Sequence, residues 1–339
     1  MKRPSLKRKG WVICALLALI IVFSVTKSHA KKITIKLTTI QMPKQQMGKA
    51  CLKFGKTVNS KLGDRVKVKV YPSAQLYRSK EEIEALMRNE IDMSFVIGSK
   101  LEVLDPSLQA FKLPFLFPDV KTAYALIDGE IGSKLFAKLP GQGLQFLGLV
   151  NAGNVVLSNS KRPLLMPDDF KGLKMRSFGR MGKDTLEALG AQAVVTASSE
   201  TFSALQQGVI DGLATPNSVY LKRKYETIQK YVTDGGMINF TNIVLLANND
   251  FWKGLPDDLR VEIKKVVDDL ISEMRREMDE KNQQIFNKIR EAGNEVHTLT
   301  PEQVVSWKKA LQSVYDKYGP EIGLPLIEKM KKKIAELNS

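Results

Sequence analysis

Histidine and cysteine are scarce: the 339 residues carry two of each. Only Cys51 and His297 lie beyond residue 30, so no intrachain disulfide is possible after that point and stability there must come from a packed core. The same scarcity removes the clusters that most protein metal sites need, and His297 alone reads as a surface residue. A Gly-x-Ser-x-Gly elbow, a His-Glu-x-x-His helix and a phosphate-binding glycine loop are missing too. The paired acids Glu81-Glu82, Asp168-Asp169 and Asp257-Asp258 adjoin expected helices or turns, where carboxylates ordinarily cap or solvate. The expectation is a protein without metal, without cofactor and without catalytic apparatus. Repeats and low-complexity tracts are absent, and long apolar runs are confined to residues 11–25.

That run has the plan of a secretory signal peptide over residues 1–30. Lys2, Arg3, Lys7, Arg8 and Lys9 precede it, and Ser28-His29-Ala30 follows as a small-residue cleavage motif. It is shorter than the roughly 18 apolar residues of a spanning helix, which disfavours the alternative of an uncleaved anchor. Cys14, near the start of the run, does not read as a site of lipid attachment. A soluble periplasmic protein beginning at Lys31 is expected. Cleavage would remove six Lys and Arg and no acids, leaving 46 basic against 36 acidic residues and a formal charge of +10. The basic residues are dispersed among acids, so a nucleic-acid partner is not expected.

The remaining chain is longer than one core usually serves, which points to two lobes. Residues 32–39 and 66–71 alternate apolar and polar side chains as strands do, and 91–97 forms a third, mostly apolar strand. Helical spacing fills 47–62 and 79–89 between and after the first two strands. This strand-helix order makes the first lobe α/β. Leu113-Pro114-Phe115-Leu116-Phe117-Pro118 reads as a packed loop, either core or one wall of a cleft. A helix over 120–139, strands over 145–150 and 155–159, and helices over 181–189 and 200–207 follow. Leu213-Ala214-Thr215-Pro216 reads as a strand returning to the first lobe, and 239–248 as another strand. From 256 to 292, apolar positions from Leu259 through Met278 to Ile285 and Ile289 define one helical stripe that thins between Met278 and Ile285. Such a helix would be roughly 55 Å long, enough to run beside both lobes. Shorter helices are expected from Thr300-Pro301-Glu302 and from Gly319-Pro320. The expected domains are 31–150 with 214–250 as lobe 1, and 151–213 with 251–339 as lobe 2.

Within Lys171-Gly172-Leu173-Lys174-Met175-Arg176, alternation puts Leu173 and Met175 on one face and Lys174 and Arg176 on the other. Arg176 ends this strand beside a glycine-containing loop, and its planar fork can grip a carboxylate through two charge-assisted hydrogen bonds. A strand-end arginine is ordinarily solvated or paired within its own protein. The motif series supplies the functional context.

Tyr71-Pro72-Ser73-Ala74-Gln75-Leu76, Leu113-Pro114-Phe115-Leu116-Phe117, Asp169-Phe170-Lys171-Gly172-Leu173-Lys174-Met175-Arg176, the stretch from Ser199-Glu200-Thr201-Phe202 to Val209-Ile210-Asp211-Gly212, and Phe251-Trp252-Lys253-Gly254-Leu255-Pro256 occur in this order. The series resembles that of the solute-binding proteins of tripartite ATP-independent periplasmic (TRAP) transporters, of the dicarboxylate-binding type. The resemblance covers nearly the whole exported chain. It implies a bilobed periplasmic-binding-protein fold of type II-like plan, two α/β lobes with a long helix spanning both. It also implies a carboxylate-gripping arginine, here Arg176, and membrane permease subunits as partners; a monomeric receptor is expected. Where several members carry a second arginine, this chain has Asn154. Where they carry a ligand-touching asparagine after the Asp-Gly pair, it has Thr215, which leaves open whether Asn217 compensates. Tyr77 replaces the glycine usual after Gln75-Leu76 and would narrow the cleft or stack on a ring. Phe178 completes the candidate site. These departures point away from a C4-dicarboxylate or sialic acid and towards a less polar monocarboxylate. An exported enzyme using the same cleft, or a receptor of an ABC importer or signalling system, are the competing readings.

Overall fold

The computed structural model describes residues 32–79, 81–177, 179–197 and 200–338. The signal segment expected at 1–30 and the candidate Phe178 lie outside the described residues. Eleven strands form two sheets among them. In chain order they are β1 (Ile33–Thr38), β2 (Val66–Tyr71), β3 (Met93–Ile97), β4 (Leu144–Asn151), β5 (Val155–Asn159), β6 (Lys174–Arg176), β7 (Gln192–Val194), β8 (Gly212–Pro216), β9 (Tyr231–Asp234), β10 (Asn242–Asn248) and β11 (Glu295–Thr298).

The first sheet has the order β2-β1-β3-β10-β4 and carries the first lobe. Its first three strands are parallel, as their helical crossovers require, and β10 runs antiparallel to both neighbours. One face, with Ile35, Leu37, Met93 and Leu245, packs on α1 (Gln46–Leu62), whose Met47, Cys51, Phe54 and Val58 are buried at helical spacing. Fully burying each such side chain stabilises by roughly 1.5 to 3 kcal/mol before chain entropy is set against it. The second sheet, β11-β9-β5-β8-β6-β7, carries the second lobe. The bilobed α/β plan is therefore the observed one.

Partners of individual strands differ from expectation. The stretch ending at Pro216 does not return to the first lobe: β8 pairs antiparallel with β5 and parallel with β6, inside the second sheet. Alternation marks a strand but carries no information about which sheet receives it. The return is made after β9, through residues 235–241, so β8 and β9 both belong with the second sheet although 214–250 was expected in lobe 1. The helix expected over 120–139 is split into α3 (Val120–Ile127) and α4 (Glu130–Phe136), because Gly129 adopts an extended conformation at the N-cap of α4. That turn lets Phe136 stack on Phe146 with ring centroids 3.8 Å apart.

The remaining helices are α2 (Glu82–Met87), α5 (Gly179–Ala188), α6 (Thr201–Gln206), α7 (Asn217–Lys222), α8 (Asn249–Gly254), α9 (Asp257–Glu291), α10 (Pro301–Ala310), α11 (Gln312–Ile322) and α12 (Leu324–Leu337). The long helix α9 has 35 residues, about 52 Å at 1.5 Å per residue. Asp257 and Asp258 occupy its first turn and Lys288 and Arg290 its last, both favourable to the helix dipole. It packs on α1 and β4 at one end and on α7 and β11 at the other. Its buried stripe runs unbroken because Asn282 fills the apolar gap after Met278 and Phe286, next to half-buried Ile285, resumes it.

The C-terminal helices do not stay with lobe 2. Helix α11 runs through Gly319-Pro320, and the break falls at Gly323, whose φ of +107° suits glycine alone. Along α11, Tyr315 donates from its hydroxyl to the Pro114 carbonyl of the first lobe (2.8 Å), while Tyr318 donates to the Asp184 carboxylate of α5 in the second (2.6 Å). Glu321 accepts from Gln109 of the first lobe at 2.9 Å and from Arg180 of α5 at 2.7 Å. Below it, Trp307 is wholly buried between Phe115 and Phe170. No helix among the described residues is long and apolar enough to cross a membrane.

Candidate ligand-binding site

Strands β3, β6 and β8 all end at one cavity between the lobes, of about 410 Å³. The carboxyl ends of parallel strands are where open α/β sheets ordinarily receive ligands, because the chain must turn there and expose loops and helix starts. From the first lobe, the 3₁₀ turns Gly98–Val103 and Pro106–Lys112 present Ser99, Glu102 and Lys112. From the second come Arg176 at the end of β6, Thr215 at the end of β8, and Tyr225. The returning crossover supplies Asn239, Phe240 and Asn242 beneath them.

Arg176 is 9% exposed, while its neighbour Met175 lies in the core as alternation requires. Its Nε lies 3.5 Å from the Thr196 carbonyl, the outer limit of a hydrogen bond. Burial pulls its pKa below the usual arginine value; Tyr225 opposes that and the like charge of Arg223 adds to it. An anion entering the cavity would relieve both effects. Across the cavity, Lys112 Nζ donates to Glu102 Oε2 at 2.7 Å. Burial raises the Glu102 pKa above the usual carboxylate range, Lys112 counteracts this, and the charge of Glu321 adds to it.

Of the residues singled out in the sequence, Arg176 and Thr215 share this cavity. Asn154 and Asn217 instead join a polar cluster at the crossover between lobes. The Asn154 amide donates to Asp234 at 3.1 and 3.3 Å, and the Asn217 amide donates to Asn282 Oδ1 at 2.9 Å. The Asn154 backbone N–H also points at Asn282 Oδ1 (3.4 Å), and the Asn154 carbonyl accepts from the Asn217 N–H at 2.8 Å. Gly153 is held against this cluster at φ +108°, where a Cβ would come within 2.8 Å of Asn217 Oδ1. Gln75 is exposed and Tyr77 donates to Glu90 at 2.8 Å; neither lines the cavity, so Tyr77 does not narrow it. The glycine-to-tyrosine departure is accommodated on the surface by an acceptor that the sequence places thirteen residues on. Glu102, Lys112, Tyr225, Asn239 and Asn242 were not singled out. Lys112 immediately precedes the proline-flanked aromatic motif read as a possible cleft wall, and that adjacency was the available signal.

Two α/β lobes spanned by a long helix and sharing one cavity at their strand ends have the plan of a solute receptor. The chain belongs to the family described as bacterial extracellular solute-binding protein, family 7, whose model matches residues 37–321. It is 34% identical over 312 residues to the C4-dicarboxylate-binding periplasmic protein DctP of Rhodobacter capsulatus, covering 91% of this chain and 92% of that one. A TRAP periplasmic solute-binding protein from Sulfurospirillum deleyianum, solved with bound succinate, is 32% identical with a TM-score of 0.74, covering 88% of this chain and 98% of that one. Another from Ralstonia eutropha, solved with bound (S)-2-acetolactate, is 29% identical with a TM-score of 0.75, covering 89% and 99%. The protein is thus a solute receptor of a TRAP-type transport system and not an enzyme.

Proposed function

We propose that the cavity captures an organic acid with its carboxylate on the Arg176 guanidinium, and that the lobes close over it before the receptor delivers it to a membrane permease. The observation that carries this reading is the burial of Arg176 at the carboxyl end of β6, inside a cavity that both lobes line. The relatives support it: succinate and acetolactate share a carboxylate but differ in how many they carry. Thr215 offers a hydroxyl beside the anchor, and the crossover cluster of Asn154, Asn217, Asp234 and Asn282 acts as the pivot of closure. The receptor works as a monomer, in the periplasm, after removal of residues 1–30. A single carboxylate on the ligand fits a lining whose cations are Arg176 and a Lys112 already bonded to Glu102.

Losing one member of a desolvated charge pair costs about 2 to 5 kcal/mol, roughly thirtyfold to several thousandfold in affinity. Calorimetry with a panel of C3 to C6 organic acids is expected to show that loss for Arg176→Ala and most of it for Arg176→Lys, since an ammonium cannot reproduce the fork. Undiminished binding by both variants, with thermal melts unchanged, would remove Arg176 from the site.

A further inference from the structure

We propose that Glu102 and Lys112 make the receptor selective for hydroxylated monocarboxylates, by reading the end of the ligand remote from its carboxylate. This rests on Arg176 as the carboxylate anchor. The pair stands on the first-lobe wall of the cavity and Arg176 on the second, so a ligand gripped by the arginine extends towards it. Both side chains are drawn well out of solvent, at 16% and 27% exposure, and are held together at 2.7 Å.

A carboxylate only accepts hydrogen bonds, at about four lone-pair positions, and an ammonium only donates, through three N–H bonds. Their mutual bond uses one of each. The pair therefore offers acceptor and donor side by side, which is what a hydroxyl, itself donor and acceptor, can satisfy in full. Asn239, Asn242 and Thr215 add further amide and hydroxyl partners around the same space. Charge points the same way. Arg176 and Lys112 against Glu102 leave the cavity lining with one net positive charge, which one ligand carboxylate neutralises. A second carboxylate at the far end would meet Glu102, an anion that cannot donate to it, in a site where water screens poorly. An unsubstituted alkyl end would leave the pair desolvated without a partner, and sites built to bond a hydroxyl reject analogues lacking one by large factors.

The test is calorimetry of the exported chain against chain-length-matched acids: butyrate, 3,4-dihydroxybutyrate and succinate, then hexanoate, gluconate and adipate. The hydroxylated member of the better-fitting set is expected to bind at least tenfold more tightly than both mates. Glu102→Gln, which keeps shape and removes charge, is expected to lower that preference over the dicarboxylate at least tenfold, chiefly by strengthening dicarboxylate binding. Lys112→Gln is expected to weaken the dicarboxylate further. Because each readout is a ratio of ligands on one variant, a partly unfolded sample does not shift it. The inference is overturned if no hydroxylated acid outbinds its mates in the wild-type protein, or if both variants leave the ratios unchanged. Arg176→Ala separates the two readings. Retained binding in that variant defeats the anchor, whereas loss for every class together with unchanged ratios in the Glu102 and Lys112 variants defeats the selector alone.

Discussion

At the crossover, Asn154, Asn217 and Asp234 of the second lobe are tied to one another and to Asn282 of the spanning helix α9 through hydrogen bonds among largely buried amides and one carboxylate. At α11 the two lobes are joined, and the ion pairs of that junction, from Arg180, Glu321 and Lys317, carry side chains 41 to 64% exposed. Stranding a buried polar group costs about 1 to 3 kcal/mol, whereas an exposed ion pair contributes between about 0 and 1 kcal/mol and is screened by salt. A single polar link at the crossover therefore weighs more than a single ion pair at α11, whose hold on both lobes rests on its buried Val314, Tyr318 and Ile322. Acid acts on the two in opposite directions. Burial raises the Asp234 pKa, with the Gly236 N–H and Asn154 opposing, so its contribution is present at low pH and fades as pH rises through its folded value. The Glu321 carboxyl is held below its usual range by the Gln109 hydrogen bond and by Arg180, so its contribution fades as pH falls.

The contrast can be broken most forcefully at Asn282. Replacing it with Leu takes the shared acceptor from the Asn154 N–H and the Asn217 amide, and urea unfolding is expected to show a loss of about 2 to 4 kcal/mol. A loss no larger than that of a surface substitution would mean the crossover is not the firmer joint. Next in size is Tyr318→Phe, which removes the hydroxyl donated to Asp184 while Lys317 stays on that carboxylate. About 1 to 2 kcal/mol should go, and hydrogen exchange should rise in α11 with the crossover amides unaffected. Smallest is Glu321→Gln, expected to cost less than about 1 kcal/mol, to shrink further in high salt, and to lose its effect as pH falls through the lowered Glu321 pKa. Asp234→Asn should differ in sign: close to wild type at low pH, it should become the more stable of the two as pH rises and the buried wild-type carboxylate ionises, and a destabilisation growing with pH in both variants would erase the distinction.

Arg176 was legible because the alternation runs through the longer stretch Lys171 to Arg176, inside the motif series, and the core-facing Met175 agrees with that phase. Helix α9 was legible because its stripe persists over many turns. The thinning of that stripe was visible too, but not that Asn282 fills it to hold the crossover, since its partners lie 65 and 128 residues away. Strand β8 was seen and sent to the wrong sheet for the same reason: pairing is a long-range property. Strands β7, β9 and β11, of three or four residues, were missed because no period shows over so short a length. Glu102 and Lys112 sit on 3₁₀ turns, where neither a helical nor a strand repeat announces which side chains meet.

Cys51 is wholly inaccessible in the core beneath the first sheet, and burial, reinforced by the charge of Glu82, pushes its thiol pKa upward. Thiol reagents need an exposed thiolate, so the folded chain from residue 32 to 338 is chemically silent towards maleimides and iodoacetamides. A cysteine placed at Val103, 88% exposed and next to Glu102 on the cavity rim, would then be the one position to take a dye. The receptor thus arrives with the blank background that a fluorescent sensor of its own ligand requires.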